Sequence, residues 1–473
     1  MQLRVTAAAF AEVPCRTRTP FRFGAVTVHE APLLHARVEV ESPSGRAATG
    51  MAADLLVPRW FRKDPARSPQ QDQDELRAAA RAAADLLLQD RTPRRAFALW
   101  DALYGERVRA VDPTDADERL VRGFGTALLE RAVIDAACRL ANKSFWSALQ
   151  QDLFGIELGR VHPELRGVDL RALLPQGPAT SILLRHTLGM LDPLTDADAP
   201  PAAIDDGEPR SLEGYLARDE LRWLKVKVGQ GHDADRDRLL ALARLLRGRD
   251  DVAITVDGNE QFADLGAVAD LLDAVAADPD GAALLGRLAH VEQPLPRAHT
   301  FAADANRDLA RVVRRAPLCL DEADSDPDAF RRALDLGWTG CSLKNCKGVF
   351  RALANFALAR RRGGPAFVAA EDLTTLPLLS VQQDLATVTA LGIPHVERNG
   401  HHYFRGLDHL PPAVARAASA AHGDLYAERT DGGATLCVHR GALRCASLLG
   451  PGFGCDQEPF DLLRAALPWQ PAG

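Results

Sequence analysis

Positive charge is not in excess in this chain. Its 57 Lys and Arg stand against 64 Asp and Glu, a formal net charge of −7 with both signs interspersed. A nucleic-acid binder would carry a basic stripe or a basic surplus, so that class is set aside. Close cysteine pairs are missing too. Cys15, Cys138, Cys319, Cys341, Cys346, Cys437, Cys445 and Cys455 are dispersed, without the paired spacing of a structural zinc site, and read as reduced, mostly buried thiols. No stretch reaches the roughly 18 uncharged apolar residues a spanning helix needs. Met1 to Thr6 opens without the apolar run and cleavage site of a secretory signal. The expectation is a cytoplasmic protein with no nucleic-acid partner and no membrane partner. At 473 residues it is long for one core, which favours two domains or one large barrel with additions.

What is present is a change of rhythm. Residues 21 to 57 alternate as half-buried strands do, with a turn at Ser42 to Gly45. From about Asp72 to Gly155 the period becomes helical, and Phe124 to Leu149 reads as one long helical pattern. After Gly177-Pro178, short β-rich runs recur, each followed by an Ala/Leu-rich helical stretch. The runs are Ser181–Thr187, Trp223–Val228, Ala253–Asp257, His290–Glu292, Leu318–Asp321, Cys341–Lys344, Ala366–Ala370 and His395–Glu397. Eight runs alternating with helices argue for a parallel α/β barrel, with an open doubly wound sheet as the competitor. Asp192 to Pro209 reads as an added surface loop. The tail from Tyr426 to Phe460 returns to short strands and glycine turns.

The chemistry lies in where ionisable residues fall on those runs. Lys225 and Lys227 are two apart in a strand and point to one face. Asp257, Glu292 and Asp321 end the next three runs, and Lys344 ends the sixth. In a barrel, catalytic groups sit at the carboxyl ends of strands. Three carboxylates meeting there repel one another unless a hard cation lies between them, and an all-oxygen donor set suits Mg²⁺. A lysine on either side supplies two proton-transfer groups.

The segments Leu-Lys-Val-Lys-Val-Gly, Val-Asp-Gly-Asn, Val-Glu-Gln-Pro-Leu, Leu-Asp-Glu-Ala and Leu-Lys-Asn-Cys-Lys-Gly resemble the motifs of the enolase superfamily. More narrowly, they resemble its muconate-lactonizing-enzyme branch. Gly450-Pro451-Gly452-Phe453-Gly454 is similar to the family's closing Pro-Gly-x-Gly. The resemblance implies a modified (β/α)₇β TIM-like barrel under an α+β capping domain. That cap is formed by residues 1–165, the barrel by 166–412, and a segment 413–473 returns to the cap. It implies Mg²⁺ held by Asp257, Glu292 and Asp321, with Lys227 and Lys344 as acid/base pair. Lys225 becomes a neighbouring cation that disfavours the ammonium form of the base. Asn259 and Glu322 become supporting partners, and Glu371 resembles a seventh-strand glutamate of the branch. The implied reaction removes a proton beside a substrate carboxylate through an ene-diolate, whose charge the metal stabilises as the proton leaves; this superfamily is a worked case of that general pattern. Self-association into a homo-oligomer is the family analogy.

Two departures narrow the substrate. The mandelate-racemase branch places a histidine base on the seventh strand, where Glu371-Asp372 stands. Dipeptide epimerases carry Asp-x-Asp on the eighth, where His395-Val396-Glu397-Arg398-Asn399 stands; Glu397 remains a candidate for holding a cation. Loops near Cys15–Thr19 and Met51–Trp60 are expected to close over the site, with Arg16 and Arg18 reaching a distal anionic group. The run Asn399 to Arg405, with His401 and His402, reads as structural or as substrate wall. The expected activity is a racemase or epimerase acting on a small carboxylate. A lyase or cycloisomerase is the alternative, and a non-catalytic binding protein the third reading.

Overall fold

The computed structural model describes residues 1–24, 26–200 and 206–472. Strand β1 (Arg4–Phe23) and β2 (Val26–Glu41) form a long antiparallel hairpin that pairs from Arg4↔Glu41 to Phe23↔Val26, with register shifts between Val5 and Ala7 and between Arg16 and Phe21, and β3 (Ala47–Leu55) adds beside β2. The expected loop at Cys15–Thr19 is therefore strand. Its start was hidden because Ala7, Ala8 and Ala9 carry too little side chain for alternation to show, although Val5, Phe10, Cys15 and Phe21 bury along it. Met51 likewise lies inside β3, fully buried, rather than on a loop.

Two helices cover this sheet. Pro69–Gln89 begins at Ser68, which exchanges hydrogen bonds with Gln71 in a capping box. Ala116–Ala141 begins at Asp115 and stops at Asn142, whose φ of 52° ends the helix in the left-handed region. The expected stretch Phe124 to Leu149 is thus broken, and resumes as Phe145–Gln150 behind Ser144. The two long helices cross at Gly125, where a Cβ would strike the backbone of Ala79 and Ala80.

Eight parallel strands follow: β4 (Ser181–Leu188), β5 (Trp223–Lys227), β6 (Ala253–Asp257), β7 (Leu288–Glu292), β8 (Leu318–Leu320), β9 (Gly340–Leu343), β10 (Phe367–Ala370) and β11 (His395–Arg398). Each pairs with the next, and β11 returns to β4 from Leu183↔His395 to His186↔Arg398, so the sheet closes and the doubly wound alternative falls. A helix follows each of the first seven strands. The strands are Val-, Ile- and Leu-rich and buried, as parallel strands covered by helices must be. In the tail, β12 (Tyr426–Glu428) and β13 (Ala434–Leu436) form a hairpin, β14 (Ala442–Arg444) lies antiparallel on β4, and β15 (Gln470–Pro471) joins β1. Of the Asp192–Pro209 insertion, residues 201–205 lie outside the described residues. Among the described residues no helix is long and apolar enough to cross a membrane.

The cap sits on the barrel mouth through buried backbone contacts. Gln383 donates to the Met51 carbonyl (2.7 Å), Ser380 to that of Ala53 (2.7 Å), and Arg297 to those of Trp60 (2.8 Å) and Phe61 (2.9 Å). A buried carbonyl left without a donor costs about 1–3 kcal/mol, and the Ala53 carbonyl takes a second donor, Arg131, at 3.1 Å.

Candidate active site

The carboxyl ends of the strands gather Lys225 and Lys227 (β5), Asp257 (β6), Glu292 (β7), Asp321 and Glu371 (just past β8 and β10), Lys344 (just past β9) and Glu397 (β11). All eight are buried. Lys225 is the hub. Its Nζ lies 2.6 Å from Glu292, 2.7 Å from Glu371, and 3.0 Å from both Asp257 and Glu397. Asp257 Oδ2 also receives Lys227 Nζ at 2.6 Å. Glu397 takes the Thr187 hydroxyl (2.7 Å) and the Asp372 amide (2.9 Å), and Glu371 pairs with Arg185.

The charge of Lys225 follows from these partners. Burial opposes its ammonium, but Asp257, Glu292, Glu371 and Glu397 together outweigh burial and hold it charged. Its charge is matched by four carboxylates rather than directed at Lys227 alone. Even so, negative charge remains crowded: burial and then the charges of Asp257 and Glu371 push the Glu292 carboxyl well above the usual range.

Across the barrel, Asp321 takes Lys344 Nζ at 2.6 Å and the Ser342 hydroxyl at 2.6 Å, with Lys347 Nζ at 3.3 Å. Burial raises its carboxyl, but Lys344, Lys347 and Lys225 overcome that and hold it well below the usual range. Burial likewise opposes the Lys344 ammonium, and Asp321 reverses the direction to upward. The Trp60 ring caps Lys344, 4.8 Å from Nζ. Gln293 ties β7 to β8 by accepting from the Asp321 and Ala323 amides at 2.9 and 3.1 Å.

At the rim, the Asn259 amide donates to Asp257 (2.8 Å) and its side chain to Glu322 (3.4 Å). Lys63 descends from the cap to the Asn259 carbonyl (3.1 Å) and to Glu322 (3.6 Å). Among the described residues, Glu292 Oε1, Glu322 Oε2 and Asn259 Oδ1 are buried without a hydrogen-bond partner. Unpartnered buried oxygens beside crowded carboxylates are the setting a hard divalent cation fits.

The expected arginines do not join this cluster. Arg16 forms an exposed pair with Glu30 (3.3 Å), and Arg18 is buried against Asp206 (2.6 Å). Arg185, His290, Lys63 and Lys347 were not foreseen. Lys347 and Gln293 stand inside the motif segments, so their positions carried a signal; Lys63 lies on a cap loop with none. His290 shares a face of β7 with Glu292, and their ligand atoms lie within 4.8 Å of each other and of Glu371.

No family model matches the chain. Part of it is 32% identical over 161 residues to an o-succinylbenzoate synthase of Geobacillus kaustophilus, a match spanning 33% of this chain and only 36% of that enzyme. Solved structures extend the likeness over the whole length. A dipeptide epimerase from Cytophaga hutchinsonii, complexed with Mg and D-Ala-L-Val, superposes with a TM-score of 0.59 at 14% identity, covering 99% of this chain and 100% of that one. A muconate lactonizing enzyme from Mucobacterium smegmatis, complexed with muconolactone, gives 0.59 at 18% identity, covering 98% and 99%. The fold is that of the enolase superfamily, whose members recur among these neighbours.

Proposed function

We propose that this chain is a Mg²⁺-dependent enzyme of the enolase superfamily that removes a proton beside a substrate carboxylate, acting as a racemase or epimerase. The observation that carries this reading is the placement of two lysines, each on its own carboxylate, on strands four steps apart in an eight-stranded barrel. Strands β5 and β9 face each other, so Lys227 and Lys344 approach a substrate between them from opposite sides.

Asp257, Glu292 and Asp321 would hold the cation, supported by Asn259 and Glu322. Bound Mg²⁺ would supply positive charge where the substrate carboxylate gains negative charge as its proton leaves. Lys227 takes the proton, and Lys344, held as an ammonium by Asp321, delivers one to the other face. Trp60 screens Lys344 from water. Lys225 keeps four carboxylates together without taking part in proton transfer. Residues 1–165 act as cap, 166–412 as barrel, and 413–473 return to the cap, a division supported by the pairing of β15 with β1. A cytoplasmic homo-oligomer remains the working assembly.

The partial likeness to an o-succinylbenzoate synthase favours a second reading, dehydration at the same centre, in which one lysine is only an electrostatic aid. Proton NMR in D₂O separates the two against a panel of carboxylates, N-acyl amino acids included. Mg²⁺-dependent loss of an α-proton signal with appearance of the inverted isomer supports racemisation, and a vinylic product supports the lyase. Activity unchanged in Lys227→Ala would sink the assignment of the base.

A further inference from the structure

Strand β4 carries a second polar cluster on its outer face. Thr187 points inward to Glu397, so His186, one residue earlier, leaves the opposite face and meets the short helix Gly400–Tyr403 that follows β11. His186 Nδ1 is 3.1 Å from His401 Nε2, and a ring nitrogen from each of His186, His401 and His402 lies within 4.8 Å of the others. His401 Nδ1 sits 2.9 Å from the Arg398 carbonyl. That contact assigns the proton to Nδ1 and leaves Nε2 with its lone pair facing His186, the orientation a backbone carbonyl imposes on ligating histidines.

Ring packing explains part of this, since His186 stacks on His402 at 4.2 Å and Tyr215 lies 4.8 Å away. It does not explain His402 Nε2, which is buried without a hydrogen-bond partner among the described residues and 3.8 Å from Asp192 Oδ2. A buried imidazole nitrogen is ordinarily satisfied. Nitrogens around a tetrahedral zinc ion, each about 2.0–2.1 Å from it, stand about 3.4 Å apart, close to the His186–His401 separation. The cluster adjoins a cavity of about 580 Å³ bounded by Arg18 and Pro20 of β1 and by Asp192, Leu212 and Tyr215.

We propose that His186, His401 and His402 bind a divalent transition-metal ion of the zinc type, with Asp192 placed to give the fourth ligand. Three imidazoles select such an ion over Mg²⁺, which prefers the all-oxygen cluster inside the barrel. The site joins β4 to the segment after β11, residues 215 apart in sequence, and so clasps the seam where the barrel closes. It is independent of the reaction proposed above.

The test uses the full-length protein, stripped with chelator and dialysed against micromolar Zn²⁺ in excess Mg²⁺. Retention of about one zinc per chain is expected, with imidazole nitrogens in its X-ray absorption spectrum. His402→Gln and His186→Gln should each weaken retention at least about tenfold, the lower bound for losing even an orienting partner. No retained zinc, or an oxygen-only shell, overturns the proposal. So does zinc binding that Asp257→Asn abolishes and His402→Gln leaves intact. The absorption spectrum needs no variant, so it decides the matter even where a substituted chain does not fold.

Discussion

The two faces of β4 border clusters built on opposite electrostatic principles. Inside the barrel, lysine and carboxylate side chains are packed at 2.6 to 3.0 Å, and the four carboxylates around Lys225 hold it charged. Outside, three imidazoles and a tyrosine ring lie in contact, and burial strips the imidazoles of charge. Removing water makes an isolated charge expensive, so a buried site is stable either by pairing every charge or by carrying none. The inner cluster takes the first course and can move protons between partners. The outer takes the second and presents lone pairs.

The largest expected effect falls on the inner lysines. Lys227→Ala and Lys344→Ala should each lower turnover by about 10²- to 10⁴-fold, the usual weight of a general acid or base. Lys344→Ala should still exchange the α-proton of one enantiomer with D₂O, and exchange of both enantiomers in that variant would break the two-sided assignment. Next comes Lys225→Met, which strands four carboxylates. Denaturant unfolding in chelator should show a loss of about 3–5 kcal/mol, the range for removing one partner of a buried ion pair, partly recovered in Mg²⁺. A loss no larger than that of His402→Gln would erase the contrast between the clusters.

Glu130 sharpens the comparison, being a buried carboxyl with no ion-pair partner among the described residues. It accepts from the Phe350 amide at 2.6 Å, and burial pushes it up to about 8. The folded chain therefore keeps a proton that the unfolded chain releases. The stability this represents is complete below the ordinary glutamate range and is lost as pH rises toward 8. Glu130→Gln removes that loss, so melting curves of the two proteins should diverge in the variant's favour between about pH 5 and 8. Parallel curves would show that Glu130 is ionised when folded. The smallest effect is expected at Arg16, whose pair with Glu30 is open to solvent: Arg16→Ala should change stability by less than about 0.5 kcal/mol in the same melts.

Eight strand positions were legible within two residues, because a buried parallel strand is a short apolar run that alternates with helical stretches. Strand β1 was not, since Ala7, Ala8 and Ala9 give no alternation and its pairing with β2 spans more than the local window. The inner lysines and carboxylates were legible one strand at a time. Lys63 was not, because nothing in its cap segment indicates that it descends to Asn259.

By itself, the sequence determined which strand carries which functional group, since alternation along a strand is local and the face of each side chain follows from its position. Only the tertiary structure decided which charges share an environment. Lys225 lies beside Lys227 in the chain, yet its partners arrive from strands β6, β7, β10 and β11. His186 joins His401 and His402 because β11 closes on β4 in one register. Closure of a barrel is a long-range event, and what it brings together is written in no single segment of the chain.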